Sequence, residues 1–282
     1  MGLEGGRVAL GLALSLAWPG SAWAAGFVLC GNLCTAADPS ASYFVGYGRS
    51  NHVELAGQVA DLPLGPLVIY PQVADFQTQE TVPNVDEQRL AVAGHQAQAI
   101  HRIDQLRIGE VAKSEALSLS ALPPDQQRSG KIKATAELVW GDTLHISSKR
   151  LPQGSPLALQ IERTLGGQFL RPATDYVNYR LSSQTWVNGR LVPKLDYQLA
   201  RFPGPGEGDR AQGKAATAVS VLVKVGEAVT LESRFRVEDG VRAADDAQVL
   251  DGQDSMRFRV TLLSDDSCAR SDSGLLTTGD CD

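Results

Sequence analysis

Apolar side chains recur at every second position along several stretches of this chain, and this alternation constrains its fold more than any other feature. Successive side chains of a β-strand point to opposite faces of the sheet, so alternation predicts strands with one buried face. The last three stretches follow one another closely and indicate consecutive strands of antiparallel sheets. The alternating stretches are 132–140, 157–161, 219–225, 229–237 and 256–262.

Turn residues between these stretches support the same interpretation. Asn188–Gly189 lies between two β-prone runs, and this dipeptide supplies the two positive φ angles of a type I′ hairpin turn. Gly226–Glu227 separates two of the alternating stretches and indicates another turn. Pro and Gly are concentrated in segment 203–209, which we interpret as a long loop inside one domain because strands are predicted on both sides.

Segment 85–122 departs from this pattern because it is rich in Ala, Gln, Glu, Arg and Leu, which favour helices. Its large apolar residues do not gather on one helical face, and two glycines interrupt it. We therefore predict a strand over 97–111, with a helix near 85–93 as the alternative. The chain as a whole is predicted to be all-β, a two-sheet antiparallel β-sandwich with jelly-roll-like connections. A barrel or two smaller sandwiches are the alternatives.

The first 24 residues have the pattern of a secretory signal peptide. A short start that carries Arg7 precedes an apolar run over 8–18, and Ala22–Trp23–Ala24 forms a small-x-small cleavage site. The run is shorter than the ~20 residues that span a bilayer. We expect cleavage after Ala24, a single β-sandwich domain over 25–282, and secretion to the periplasm or the extracellular space.

Export changes how the four cysteines are interpreted. An even number of cysteines in an oxidising compartment favours disulfides. Four cysteines allow three pairings, and we prefer the local one, Cys30–Cys34 with Cys268–Cys281, in which each disulfide fastens one terminus. The crossed pairings would join the two termini instead. Zinc is the competing interpretation, but the spacing lacks the tight pairs of zinc ribbons.

The charge of the chain narrows the classes of partner. The formal net charge is −6, which argues against nucleic acid or an anionic membrane as the main partner. No second long apolar segment follows the leader, so no membrane span is expected after cleavage. We expect an unknown extracellular glycan or protein as the partner.

Three short phrases resemble a family of exported proteins. They are ATAELVWGDTLHI at 134–146, LPQGS at 151–155 and SDSG at 271–274. With the strand order over 90–276, they resemble the exported all-β ectodomains of PEP-CTERM-type bacterial secreted proteins. The resemblance implies a β-sandwich outside the cytoplasm and no particular activity. The family's Pro-Glu-Pro sorting tail is not found here, so sorting by that route is not expected.

Sequence motifs for catalysis are not found. The chain contains no G-x-S-x-G, His-Glu-x-x-His, P-loop or G-x-G-x-x-G pattern. His95 and His101 would lie about 20 Å apart along a strand, which is too far for a shared metal. We interpret these two, together with His52 and His145, as surface or packed histidines, because no convergent ligand set accompanies them.

Aspartates lie on both sides of the last alternating stretch, and calcium binding is one interpretation of this pattern. Extracellular β-sandwiches often bind Ca²⁺ through loop carboxylates, although this spacing fits no EF-hand loop. We expect no cofactor, with Ca²⁺ as the alternative. The aspartates are Asp239, Asp245, Asp246, Asp251, Asp254, Asp265, Asp266 and Asp272.

The two hypotheses for function differ in the role that they give to aromatic residues and carboxylates. The aromatic residues could form a stacking platform, but we favour a place in the sandwich core, where aromatics supply most buried area. Our first hypothesis is a secreted non-catalytic β-sandwich, an envelope or extracellular binding or structural module. The alternative is an exported glycan-acting hydrolase with two carboxylates on a concave sheet, beside Trp186 or the tyrosines. The aromatic residues are Tyr43, Phe44, Tyr47, Tyr176, Tyr179, Trp186 and Tyr197.

Overall fold

A computed structural model of the chain describes residues 27–29, 41–62, 67–77, 85–92, 95–121, 131–170, 177–201, 210–242 and 251–281. The leader predicted over 1–24 and the loop over 203–209 lie outside these residues. In the part that is described, no helix is long and apolar enough to cross a membrane.

The described chain consists almost entirely of β-strands. Its one 3₁₀ turn spans Pro193–Leu195. The strands are β1 Tyr43–Leu55, β2 Gln58–Leu62, β3 Val68–Pro71, β4 Asp75–Gln77, β5 Val85–Val92, β6 His95–Arg107, β7 Glu110–Ala121, β8 Lys131–Ser148, β9 Pro156–Leu170, β10 Val177–Val187, β11 Arg190–Leu191, β12 Tyr197–Arg201, β13 Arg210–Lys224, β14 Ala228–Arg242, β15 Asp251–Leu262, β16 Ser267–Ser271 and β17 Thr278–Gly279.

These strands form two antiparallel sheets. The described strands of the larger sheet number ten and follow the order β11-β10-β14-β8-β1-β2, with β12 beside β10, β3 beside β1, and β16 between β8 and β17. The smaller sheet has seven described strands in the order β13-β9-β15-β7-β6-β4, with β5 beside β6. The predicted all-β antiparallel sandwich is therefore confirmed, while the jelly-roll-like connectivity stays a prediction.

The core lies between the two sheets and is filled by the alternating residues that the sequence singled out. Leu138 and Trp140 of β8 and Phe235 of β14 are fully buried from the larger sheet. Phe258 of β15 faces them from the smaller sheet, and its ring centroid lies 5.0 Å from that of Trp140 in an edge-on arrangement. Alternation thus places one row of each strand in a shared apolar layer.

The hairpin prediction at Asn188–Gly189 is confirmed. Both residues have positive φ, 49° and 71°, and Trp186 pairs with Leu191 across the turn. Strands β13 and β14 are consecutive, as predicted, but they belong to different sheets. The Gly226 turn therefore carries the chain across the sandwich rather than along one sheet.

The described part of segment 85–122 consists of three strands with a turn at Ile108–Gly109, so the helix alternative near 85–93 is wrong. Backbone hydrogen bonding across β5, β6 and β7 overrides the helix-favouring composition, because the three strands pair side by side in one sheet. The strand predicted over 97–111 is divided by a turn at Ile108–Gly109, where Gly109 has a φ of 76°. A left-handed backbone of this kind favours glycine.

Candidate functional site

The outward side of the ten-stranded sheet carries an unusual set of side chains, and we call it the outer face. On β14, Leu231 and Phe235 point into the core, so the alternate residues Glu232 and Arg234 point outward. The same rule places Val139 of β8 on the outer face, opposite Arg234. One end of this face is apolar and the rest is charged.

The apolar end is a socket occupied by the start of the described chain. Phe27 and Leu29 are buried there against Phe44, Leu67 and Val139. The rings of Phe27 and Phe44 meet edge-on, with centroids 4.9 Å apart. Ile69 and Trp186 pack at the margin of the socket. Phe27–Leu29 thereby covers apolar surface on the outer face.

Glu232 lies at the base of this socket and holds the segment by its backbone. Its carboxylate accepts hydrogen bonds from the backbone N–H groups of Val28, at 3.0 Å, and Leu29, at 2.8 Å. The Glu232 side chain is fully buried. Burial raises the pKa of the carboxyl, and the two N–H donors oppose that rise in part.

Gly141 explains why the socket can form above β8. It pairs with Glu232 on β14 and with Phe44 on β1. A Cβ atom at this position would lie 2.4 Å from the Phe44 ring and 3.0 Å from the Phe27 ring. The glycine therefore provides the space that the two aromatic rings fill.

Beyond the socket, charged side chains form a ladder across β8 and β14. Arg234 Nη2 lies 2.7 Å from Glu137 Oε1, and Arg236 Nη1 lies 3.9 Å from Glu137 Oε2. Arg236 Nη2 is 3.3 Å from Glu238 Oε2, whose other oxygen is 3.0 Å from Lys133 Nζ. Only 1% of the Glu137 side chain is exposed, against 30% of Arg234 and 35% of Arg236. Solvent therefore meets the guanidinium groups, while the carboxylates lie beneath them.

A second buried carboxyl lies on the other side of the same sheet. Asp142 of β8 is fully buried and pairs across the sheet with the core residue Leu231. Its Oδ2 accepts a hydrogen bond from Ser273 Oγ at 2.6 Å, and its Oδ1 accepts from the N–H of Thr143 at 2.9 Å. Burial raises the pKa of Asp142 to about 6, although the hydrogen bonds from Ser273 act to lower it.

The two carboxyls with raised pKa do not form a catalytic pair. Gly141, which lies opposite Glu232, and Asp142 are adjacent on β8, so their side chains belong to opposite faces of the sheet. Each carboxylate already accepts hydrogen bonds from the chain itself. The arrangement can fasten chain segments and stabilise charge, and it does not place two acids around one bond.

Among the histidines, His52 on β1 and His145 on β8 have carboxylate partners. His52 Nδ1 contacts Asp61 Oδ1, and His145 Nε2 lies 2.9 Å from Asp272 Oδ1. His95 and His101 lie on β6 as predicted for a strand. Among the described residues, no group of three or more His, Cys, Asp or Glu side chains could hold a metal ion.

The described aspartates among those considered for calcium belong to different parts of the fold. Asp266 contacts Arg150 at 3.2 Å, and Asp272 contacts His145. Asp265 belongs to the connection between β15 and β16. Backbone placement alone is described for Asp239 on β14 and for Asp251 and Asp254 on β15, and Asp245 and Asp246 lie outside the described residues.

The aromatic residues serve mostly in packing. Phe44 and Tyr47 are buried, while Tyr43, Trp186 and Tyr197 are partly buried against apolar clusters. Tyr179 lies on β10, and Tyr176 lies outside the described residues.

The structure adds aromatic neighbours that the sequence did not single out. Tyr47 packs with Tyr70 and Phe76, whose ring centroids lie 5.2 Å apart. The guanidinium of Arg163 lies 5.5 Å from the Tyr197 ring centroid.

The disulfide prediction is confirmed at one end of the chain. Cys268 and Cys281 are bonded, with Cα atoms 4.9 Å apart. Cys30 and Cys34 lie outside the described residues, so their pairing stays a prediction.

Sequence reasoning missed Glu232, Asp142 and Arg163 as buried charged residues. Glu232 occupies a polar position of an alternating strand and is indistinguishable there from a solvated residue. Its hydrogen-bond donors, the backbone N–H groups of Val28 and Leu29, are more than 200 residues away along the chain. The charged residues at alternate positions of β14, Arg234, Arg236 and Glu238, are the one local signal that could have indicated a ladder.

Comparisons with known proteins leave the family of the chain open. No family model and no curated protein matches it.

Two kinds of solved structure give weak matches. An isomalto-dextranase of Arthrobacter globiformis T6 complexed with panose is 12% identical, with a TM-score of 0.17 over 73% of this chain and 30% of that one. Infectious bursal disease virus Gx strain is 11% identical, with a TM-score of 0.17 over 78% of this chain and 57% of that one. The chain thus spans under two thirds of either structure, and TM-scores this low carry no argument.

Proposed function

We propose that this protein is an exported, non-catalytic β-sandwich that serves as an envelope or extracellular binding or structural module. The observation that carries the proposal is that the two carboxyls with raised pKa, Glu232 and Asp142, bind segments of their own chain. Glu232 fastens Val28 and Leu29 to the outer face. Asp142 fastens the turn at Ser273 from the opposite side. Both acids thus act as anchors for chain segments.

The hydrolase alternative requires a different arrangement. Glycoside hydrolysis uses two carboxyls about 5–10 Å apart on either side of one glycosidic bond. A raised pKa suits a general acid, but Asp142 and Glu232 belong to opposite faces of one sheet and hydrogen-bond to their own chain. Neither is poised to protonate a bound sugar beside Trp186.

The charged part of the outer face is the surface we assign to a partner. Arg234 and Arg236 each carry five N–H donors in a planar fork, and both guanidiniums reach solvent. Donors of this kind suit the carboxylate and hydroxyl oxygens of a glycan or the acidic side chains of a protein. The buried Glu137 beneath them fixes their position.

An assay of hydrolysis tests the non-catalytic part of the proposal. The exported protein is incubated with a panel of soluble polysaccharides, and new reducing ends are measured. We expect no release above that of heat-treated protein. Turnover that disappears in Asp142→Asn or Glu232→Gln would overturn the proposal and favour the hydrolase.

An array of bacterial surface polysaccharides tests the binding face. We expect the double variant Arg234→Gln/Arg236→Gln to lose the glycan signals of the wild-type protein. Arg257→Gln is the matched control, because Arg257 is an exposed arginine of the other sheet that pairs with Glu110 at 2.7 Å. Equal loss of signal in the control would contradict the assignment to the outer face.

A further inference from the structure

Strand β13 ends the seven-stranded sheet, and it differs from every other described edge strand. It spans 15 residues, Arg210–Lys224, and pairs along its length with β9. Within the described part of the chain, no strand pairs with its other side. A strand of this length presents about 50 Å of edge, along which backbone donors and acceptors face away from β9. At the end of the strand, the N–H and carbonyl of Lys224 are hydrogen-bonded to Glu227, so the edge available for pairing lies before Lys224.

The other described edges are short or charged. On the larger sheet, β2 and β12 have five residues each and β3 has four. At the far end of the smaller sheet, β4 has three residues, and β5 carries Asp86, Glu87 and Arg89. Short strands and charges are the usual protection of sheet edges against pairing with another chain.

Strand β13 lacks this protection. The nine residues of 215–223 read Ala-Ala-Thr-Ala-Val-Ser-Val-Leu-Val and include no charge, Pro or Gly. Leu222 is 82% exposed, which is the largest exposure among the large apolar residues of the described chain. The outward row of Ala216, Ala218 and Ser220 is also exposed. An edge that is long, flat and apolar is an expected site of strand pairing.

The nearby 3₁₀ turn leaves this edge available. Pro193–Leu195 contacts β13, but Leu195 is buried in the core, on the inner side of the sheet. The backbone hydrogen bonds of the turn run from Leu195 to Val192 and from Asp196 to Pro193. They do not involve β13.

We propose that β13 pairs antiparallel with β13 of a second copy of this chain, so that the two seven-stranded sheets join across a two-fold axis. A two-fold interface places the same patch on both subunits and must therefore be self-complementary. A run of neutral residues meets that condition, because no like charges face each other along it.

The two lysines that flank the run select the register. Centring the pair on Val219 would set Lys214 against Lys224 of the partner, which brings like charges together. Centring it on Ser220 sets Leu222 against Ala218 and Val219 against Val221, and it covers the exposed Leu222. We assign the register centred on Ser220.

Analytical ultracentrifugation of the protein purified after export from cells that express the full chain tests the proposal. We expect a dimer for the wild-type protein. The double variant Ala218→Lys/Leu222→Lys sets lysine against lysine on both sides of the axis, and we expect Kd to rise at least tenfold, or about 1.4 kcal/mol. The variant Ala218→Glu/Leu222→Lys sets opposite charges at the same two places, and we expect it to dimerise.

Both double variants change the same two exposed positions. Dimer formation by Ala218→Glu/Leu222→Lys would show that charged residues at these positions are compatible with folding. Leu263→Lys is the control, since Leu263 is an exposed apolar residue outside β13. A monomeric wild-type protein would overturn the proposal, whether or not the edge binds a strand of another protein. The proposal would also be overturned if Ala218→Lys/Leu222→Lys remained a dimer, or if Ala218→Glu/Leu222→Lys were a monomer.

Discussion

The first and last segments of the described chain are attached to the same sheet by similar means from opposite sides. At the start, Phe27–Leu29 fills the socket on the outer face, and the buried Glu232 accepts two of its backbone N–H groups. Near the end, the buried Asp142 accepts hydrogen bonds from Ser273 on the inner side. The end of the chain has in addition the Cys268–Cys281 disulfide.

The two attachments differ in the interactions that stabilise them. A carboxylate buried to hold a chain segment incurs a desolvation penalty, which is why the pKa of both acids is raised. At the start, this penalty is offset by the two backbone N–H donors and by apolar packing. At the end, a covalent bond restricts the segment independently of the acid. The start should therefore be the more sensitive to loss of packing.

Among the variants that test this comparison, removal of the Phe44 ring should cause the largest loss of stability. Phe44→Ala leaves a cavity beneath Phe27 on a fully buried site, and we expect the free energy of unfolding to fall by about 3–5 kcal/mol. Urea denaturation followed by fluorescence measures the loss. Ile69→Val removes one methyl group from the margin of the same socket and should cost about 1 kcal/mol. A loss in Phe44→Ala no larger than the ~1 kcal/mol expected for Ile69→Val would contradict this prediction.

The pH dependence of stability should show the raised pKa of the Asp142 carboxyl. Its carboxyl binds a proton up to about pH 6 in the folded protein and only up to its ordinary pKa of 3.8 in the unfolded chain. The folded state therefore holds more protons between these values, and stability decreases as pH rises from about 4 to about 6. The full change attributable to this group is about 3 kcal/mol.

Asp142→Asn removes the titrating group and should flatten that part of the curve. Thermal denaturation of the wild-type protein and the variant across this pH range measures the difference. Asp266→Asn is the control, because Asp266 is a partly exposed aspartate in an ion pair with Arg150. A pH curve left unchanged by Asp142→Asn would assign the dependence to other groups.

Loss of the disulfide should have a smaller and more local effect. Cys268→Ser/Cys281→Ser opens a loop with a sequence separation of 13, for which chain entropy gives about 2–3 kcal/mol. We expect the melting temperature to fall modestly and the hydrogen exchange of 267–281 to accelerate, while strands β8 and β14 remain protected. Global unfolding on reduction would mean that the sheets depend on this bond.

Substitution of Glu232 should give the smallest effect and confine it to the start of the chain. Glu232→Gln keeps one acceptor oxygen and loses the other, and we expect a loss of about 1–2 kcal/mol in the attachment of Phe27–Leu29. Hydrogen exchange at the amides of Val28 and Leu29 should accelerate roughly tenfold. Glu162→Gln, on the other sheet, should leave both amides unchanged.

Much of the fold followed from local pattern. The alternating residues of β8, β14 and β15 identified their buried rows, because strand geometry requires only a period of two. The Asn188–Gly189 turn followed from the φ angles that this dipeptide tolerates. Segment 85–122 could not be assigned with the same ease, since its composition favours helix and pairing between β5, β6 and β7 decides otherwise.

The candidate site was far less accessible to sequence reasoning. Glu232 and Glu137 occupy polar positions of alternating strands, where a solvated side chain is the ordinary expectation. The fold brings their partners to them from distant parts of the chain. These are the backbone N–H groups of Val28 and Leu29 for the first and two arginines of β14 for the second. Candidate residues that had been selected by type, such as the histidines, form no group among the described residues that could hold a metal ion.

The sequence by itself determined the strand class and the buried rows, because both depend on spacing along the chain. It favoured Cys268–Cys281 as part of the local pairing, and the structure decided that bond. Only the tertiary structure decided which sheet each strand joins, which acids are buried, and that β13 is left at an edge. These properties depend on contacts between residues far apart in sequence, and the energy of such contacts is set by neighbours that local pattern does not specify. The consecutive strands β13 and β14, assigned to different sheets, are the plainest example.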